Sequence, residues 1–83
     1  MNNDLHLEIV TPVRTLFDEA IGLVEVPGRK GRFTVLRNHA PIISILDKGT
    51  IRVQAKTGTE HQFECAGGYL ECNRNKVTIL LNQ

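Results

Sequence analysis

Short runs in which apolar and polar residues alternate recur along this chain, and they favour β-strands. In the first run Leu5, Leu7 and Ile9 alternate with His6 and Glu8. Successive side chains of a strand point to opposite faces, so this period of two places the three aliphatic residues on one face. Comparable runs follow at 24–26, 33–35, 51–55, 62–66, 69–72 and 76–81. The pattern predicts about eight short strands.

Turn-forming residues separate these runs and define the fold class. They are Gly28 and Gly31, Thr57-Gly58, Gly67-Gly68 and Asn73-Arg74-Asn75. Gly67-Gly68 is predicted to be a bulge or corner that the backbone requires, and the others are predicted turns. Two segments, 18–24 and 40–46, could be argued as helices, but both are short and are rich in β-branched residues or interrupted by glycine or proline. We predict an all-β fold, a small flattened β-sandwich or barrel of about eight to ten short strands.

The size and charge of the chain exclude several classes of protein. With 83 residues it can enclose one hydrophobic core, so residues 1–83 are expected to form a single domain. The formal net charge is +1, so no overall field attracts nucleic acid, anionic lipid or an acidic substrate. Met1-Asn2-Asn3-Asp4 lacks the basic start of a signal peptide, and the longest aliphatic stretch, 42–46, is too short to cross a bilayer. A cytosolic protein is expected.

No arrangement of reactive side chains in the sequence indicates catalysis. Cys65 and Cys72 do not form a Cys-x-x-Cys pair, and we interpret both as buried apolar residues. The three histidines show no metal-ligand spacing. Asp18-Glu19 is predicted to lie in a solvated turn, and the single serine, Ser44, lies outside any nucleophile motif. We predict a protein that is not an enzyme and has no catalytic residues, metal or cofactor.

Two local motifs leave other functions open at this stage. Gly28-Arg29-Lys30-Gly31 matches the Gly-x-x-Gly loop of nucleic-acid-binding KH modules, although that loop needs a helix on each side. A small nucleic-acid-binding domain is therefore one alternative. Lys48, in the segment Asp47-Lys48-Gly49, is similar to the hairpin-tip lysine of lipoyl or biotinyl carrier domains. A carrier domain is the second alternative.

The order and spacing of several motifs resemble one known family. These motifs are Val26-Pro27-Gly28, Val35-Leu36, Asn38-His39-Ala40-Pro41-Ile42-Ile43, Gly49-Thr50-Ile51-Arg52-Val53, Gly67-Gly68-Tyr69-Leu70-Glu71-Cys72 and Asn75-Lys76-Val77-Thr78-Ile79-Leu80. Together they resemble the epsilon subunit of F-type ATP synthases, and the likeness extends from Leu5 to Leu81. The resemblance implies a flattened ten-stranded β-sandwich, in agreement with the strand pattern.

The resemblance also implies a non-catalytic subunit of the central stalk, which turns with the rotor of a proton- or sodium-translocating ATP synthase. It would link the gamma subunit to the membrane c-ring so that torque is transmitted. The implied location is peripheral, at the cytoplasmic face of the inner (plasma) membrane, with no membrane insertion and no nucleic acid. The residues implied to contact gamma are Thr11, His39, Ala40, Pro41 and Ser44. Those implied to contact the c-ring are Arg29, Lys30, Gly31 and Arg32.

The sequence departs from the pattern of many relatives at Arg32, at Thr34 and at its end. Arg32 stands where many relatives carry an acidic residue, and Thr34 stands where they carry a glycine. Two interpretations of Arg32 stay open: it faces an acidic group of the c-ring, with the two charges exchanged between the partners, or the basic loop is solvated and charged for solubility. Many relatives continue into a C-terminal helical hairpin, whereas this sequence ends at Gln83. The expectation is that it neither binds ATP nor inhibits ATP hydrolysis.

Overall fold

A computed structural model describes residues 3–83, which form eight β-strands and no helix. The strands are β1 (Leu5–Val10), β2 (Thr15–Gly28), β3 (Gly31–Leu36), β4 (Ile42–Leu46), β5 (Gly49–Ala55), β6 (Glu60–Cys65), β7 (Gly68–Asn73) and β8 (Lys76–Leu81). The predicted all-β fold and the predicted number of strands are confirmed. Segment 18–24 lies within β2, and residues 42–46 of the second segment form β4. The prediction of a turn at Asp18-Glu19 is wrong because both residues lie within β2.

The long strand β2 connects the two layers of the fold, because its two halves pair with different strands. Its first half, Thr15 to Ile21, runs antiparallel to β1. Its second half pairs with β3 along one edge and with β5 along the other, and the β5 register shifts between Ile21 and Leu23. The first sheet therefore contains β4, β7, β8, β1 and the first half of β2, in that order. The second contains β3, the second half of β2, β5 and β6.

Aliphatic side chains on the inner faces of both sheets form the core. The largest fully buried ones are Leu5, Leu7, Ile9, Leu46, Ile51, Leu70, Ile79, Leu81, Val24, Val26, Val35 and Val53. Phe17 of the first sheet packs edge-on against Phe63 of the second, with ring centres 5.7 Å apart. Cys65 and Cys72 are buried and unpaired, as predicted. Burial raises the pKa of both thiols, which keeps them protonated and apolar near neutral pH.

The predicted turn at residues 73–75 is a two-residue hairpin loop. Arg74 and Asn75 both have positive φ angles, 52° and 62°, as a type I′ turn requires. The Asn75 side chain accepts a hydrogen bond from the backbone N–H of Asn38 at 2.6 Å and donates to the Asn38 side-chain oxygen at 3.3 Å. The β7–β8 turn therefore holds the β3–β4 connection in place.

Gly68 allows the backbones of β7 and β8 to approach unusually closely. A Cβ atom at this position would lie 2.0 Å from the carbonyl oxygen of Leu80, a group that cannot move without disrupting the ladder. The neighbouring Gly67 has a φ of 134°, which disfavours other residues. The interpretation of Gly67-Gly68 as a backbone requirement is therefore confirmed.

Replacing Gly68 with alanine should lower the free energy of unfolding by roughly 2–3 kcal/mol, because the added methyl group collides with a fixed carbonyl. The matched control is Gly22→Ala, where the added Cβ would make ordinary contacts with the carbonyl oxygens of Gln54 and Ala55, at 3.6 Å and 4.0 Å. Urea denaturation of both variants measures the difference. Equal losses of stability would show that the close approach at Gly68 is unimportant.

Candidate docking surfaces

The outer face of the first sheet carries a row of apolar side chains across four adjacent strands. Ile45 pairs with Tyr69, Tyr69 with Leu80, and Leu80 with Val10. Ile45 and Tyr69 are about half exposed, at 51% and 47%, and Leu80 and Val10 are half-buried. Ile43, two residues before Ile45 on the same face of β4, is 75% exposed.

Val13, in the turn after β1, is also exposed, at 85%. The turn is fixed by the hydroxyl oxygen of Thr11, which accepts hydrogen bonds from the backbone N–H groups of Val13 and Arg14 at 3.3 Å and 3.2 Å. We define the apolar face as Val10, Ile43, Ile45, Tyr69 and Leu80. Exposed apolar residues that cluster in this way are typical of a protein-binding surface.

The outer face of the second sheet carries a row of polar side chains across its four strands. Register places Thr34, Glu25, Arg52 and Gln62 side by side on four adjacent strands. The Glu25 carboxylate accepts a hydrogen bond from Arg52 at 3.1 Å and forms an ion pair with Arg32 at 3.4 Å. The centre of this face is therefore charged, although Leu36, two residues after Thr34 on the same side of β3, is 53% exposed.

The ion pairs shift the protonation equilibria of this cluster. The hydrogen bond from Arg52 holds the pKa of Glu25 below its usual value, and the charge of Arg32 acts in the same direction. Conversely, the carboxylate of Glu25 raises the pKa of Arg52. The cluster is therefore fully charged at neutral pH.

The residues predicted to contact gamma do not form one patch. Thr11 follows β1 near the end of β8, whereas His39, Ala40 and Pro41 precede β4 at the opposite end of the first sheet. The His39 ring donates from Nδ1 to the carbonyl oxygen of Ala40 at 2.7 Å. Ser44 lies on the inner side of β4, because burial alternates along that strand.

The apolar face lies between these two groups, and its members were not predicted as site residues. Ile43 and Ile45 escaped notice because Ile42–Leu46 contains four aliphatic residues in five positions, so its outward side cannot be recognised from alternation. Tyr69 and Leu80 become neighbours only through the register of β7 and β8. The one signal in the sequence that could have identified this face was Tyr69, because a tyrosine among aliphatic residues is expected to be exposed.

The residues predicted to contact the c-ring form the β2–β3 hairpin tip, with Gly28 paired to Gly31. Arg29 forms an ion pair with Asp47 at 3.2 Å, and Arg32 forms one with Glu25 at 3.4 Å. Lys30 is exposed and has no ion pair among the residues that the structure describes. Two of the three cations are therefore already compensated within the chain, including Arg32.

A groove of about 610 Å³ opens beside the hairpin tip, between β3 and β4, which do not pair with each other. Phe33 and Ile42, both partly buried against the core, line its apolar part. Its polar part is formed by Arg29, Lys30 and Arg32, and no carboxylate residue lines it. The groove therefore suits an apolar or acidic occupant.

The geometry does not support the two alternative functions. The Gly28–Gly31 loop is flanked by β2 and β3, whereas a KH loop requires helices. Lys48 lies between β4 and β5, which do not pair with each other, so it is not at a hairpin tip. Within residues 3–83 no group of three potential metal ligands comes together. That part of the chain also has no helix capable of crossing a membrane.

The fold and its two unlike faces are those of a small β-sandwich domain. The family model for the ATP synthase delta/epsilon chain, beta-sandwich domain, matches residues 4–83. The chain belongs to this family, so the resemblance seen in the sequence is confirmed.

Individual relatives agree with this assignment. The ATP synthase epsilon chain of Nitratidesulfovibrio vulgaris (strain DSM 19637 / Miyazaki F) is 42% identical over 80 residues, which cover 96% of this chain and 59% of the relative. The epsilon chain of Chlorobaculum tepidum is 38% identical over 77 residues, which cover 93% of this chain and 88% of the relative.

A solved structure shares the fold. In the cryo-EM structure of the Euglena gracilis mitochondrial ATP synthase, OSCP/F1/c-ring in rotational state 1, one chain superposes with a TM-score of 0.91 at 19% identity. The match covers 100% of this chain and 53% of that chain. Our chain thus spans less than two thirds of the Euglena chain and of the N. vulgaris relative.

Glu25 should make stability depend on pH in the acid range. Its pKa lies below the model-peptide value of 4.5 in the folded state, so its contribution is complete above pH 4.5 and disappears as the pH falls through the folded pKa. We expect Glu25→Gln to melt at a lower temperature than the unmodified chain at pH 6, with the gap closing toward pH 3. Thermal melts of Glu71→Gln, an exposed carboxylate without an ion pair among the described residues, provide the control. A gap that persists at pH 3 would contradict this account.

Proposed function

We propose that this chain is the β-sandwich part of a non-catalytic rotor subunit of a proton- or sodium-translocating F-type ATP synthase. It links the gamma subunit to the membrane c-ring, so that rotation of the ring is passed to the stalk. It works as a peripheral component at the cytoplasmic face of the membrane and needs no cofactor. Membership of the delta/epsilon family supports this proposal.

The observation that carries the proposal is the cluster of exposed apolar side chains on the outer face of the first sheet. Gamma docks on this face, with Tyr69 and Ile45 near its centre. Thr11 at one end and Ala40 and Pro41 at the other border the same surface, and Ala40 and Pro41 are exposed. Aromatic and aliphatic residues at the centre of an interface generally provide most of its binding energy.

The basic hairpin tip is the part of the chain that meets the c-ring. Gly31 has a φ of 132°, which allows the tight return of the chain into β3. Because Arg29 and Arg32 have partners within the chain, Lys30 contributes the charge that is available to the ring. The sequence suggested an exchange of charge with the ring at Arg32. We propose instead a contact centred on Lys30.

Substituting Ile45 with aspartate should weaken binding to gamma at least about a hundredfold, since the change places a charge in the desolvated centre of the interface. Calorimetric titration with the gamma subunit encoded in the same genome measures this. Gln62→Asp introduces the same charge on the polar outer face and should bind like the unmodified chain. Loss of affinity in both variants, or in neither, would refute docking through the apolar face.

Lys30→Glu should leave the melting temperature and the affinity for gamma unchanged but reduce attachment to the membrane sector. The fraction of subunit retained on washed membranes at low salt, where exposed charges are least screened, is the measurement. Lys76→Glu makes the same charge change at the first residue of β8, away from the hairpin tip. Equal retention of the two variants would remove the hairpin tip from the c-ring contact.

A further inference from the structure

One edge of β4 is uncovered along most of its length. On its other edge β4 pairs with β7 throughout residues 42–46. On the uncovered side, β2 reaches only Leu46, through Gly28. Beyond this pair, the Arg29 N–H donates to the Ile45 carbonyl oxygen at 2.9 Å, and the chain then turns away into β3.

Alternation along the strand identifies which backbone groups are left free. In an antiparallel ladder the N–H and C=O groups of one residue point to the same edge of the strand, and those of the next residue point to the opposite edge. The carbonyl of Ile45 points toward β2, so the N–H of Ile45 and both backbone groups of Ile43 point the same way. No strand of residues 3–83 pairs with them on that side. A row of unpaired groups at a sheet edge is a template for an additional strand.

The groove beside this edge fits an extended segment. Strand residues advance ~3.3 Å each, so a segment of about four to six residues would run alongside Ile42–Ile45. Every second side chain would enter the groove and contact Phe33, which is only partly buried.

We propose that the partner docked on the apolar face also supplies an extended segment that pairs with the free edge of β4 as an additional strand. The segment alternates apolar and polar residues. This inference rests on the proposed function, because Ile43 and Ile45 belong both to the apolar face and to the free edge. It adds a specific mode of binding, main-chain pairing, to a surface otherwise defined by side chains.

Amide hydrogen exchange measured by NMR, on the isolated chain and on its complex with gamma, tests the proposal directly. Strand pairing should slow exchange of the Ile43 and Ile45 amides at least about tenfold in the complex. If the complex forms but these two amides exchange as in the isolated chain, strand addition is wrong and the docking proposal survives. If no complex forms, both proposals fail.

A pair of variants at Ile43 separates main-chain pairing from side-chain contact. Ile43→Ala and Ile43→Pro both remove the isoleucine side chain, but only proline also removes the N–H group. Proline is tolerated in an edge strand where its nitrogen faces outward. We expect gamma to bind the proline variant at least about fivefold more weakly than the alanine variant. Equal affinities of the two folded variants would overturn the proposal, and if the proline variant fails to fold, the amide exchange decides.

Discussion

The two-layered fold depends on β2 pairing with four other strands. Its fourteen residues would extend about 46 Å at the usual rise per residue, whereas the longest dimension of the molecule is 34 Å. The strand must therefore bend, and it does so near Ile21 and Leu23, where the register with β5 shifts. Gly22 lies at this bend. A Cβ atom added there would make only ordinary contacts, with the backbone of β5. By bending, one strand provides an edge for both sheets.

The two outer faces can differ in polarity because the core does not restrict the residues that form them. Each face is made by residues that alternate with the same buried core, so the core places no restriction on them. On one side cross-strand neighbours are apolar, and on the other Glu25 is held between two arginines. Exposed ion pairs add little stability individually, so the polar face is best explained by its solubility in water. The apolar face has no such explanation within the chain.

The sequence was sufficient for the family and for most of the strands and turns, because period-two patterns and turn residues are local signals. It missed the first half of β2, where Asp18-Glu19 was predicted to be a turn. The docking surface needed the structure. Tyr69 lies eleven residues from Leu80 in sequence, and only the hairpin register makes them neighbours. The partner of Arg32 was also hidden, since Glu25 is reached diagonally across the β2–β3 hairpin. The side of β4 on which Ser44 lies was hidden as well, because four of the five residues of that strand are aliphatic and only the burial pattern shows its inner face; its contact with gamma stays a prediction from the resemblance.

The parallel pairing of β1 with β8 brings together the strands at the two extremes of the fold. His6 lies beside Lys76 and Val10 beside Leu80, with almost the whole domain between them in sequence. Contacts of such large separation slow folding, because a long loop must be closed before they form. A ribosome synthesising this chain releases β1 long before β8, so one edge of β1 waits unpaired during translation. The domain can complete its first sheet only after nearly all of it has left the exit tunnel.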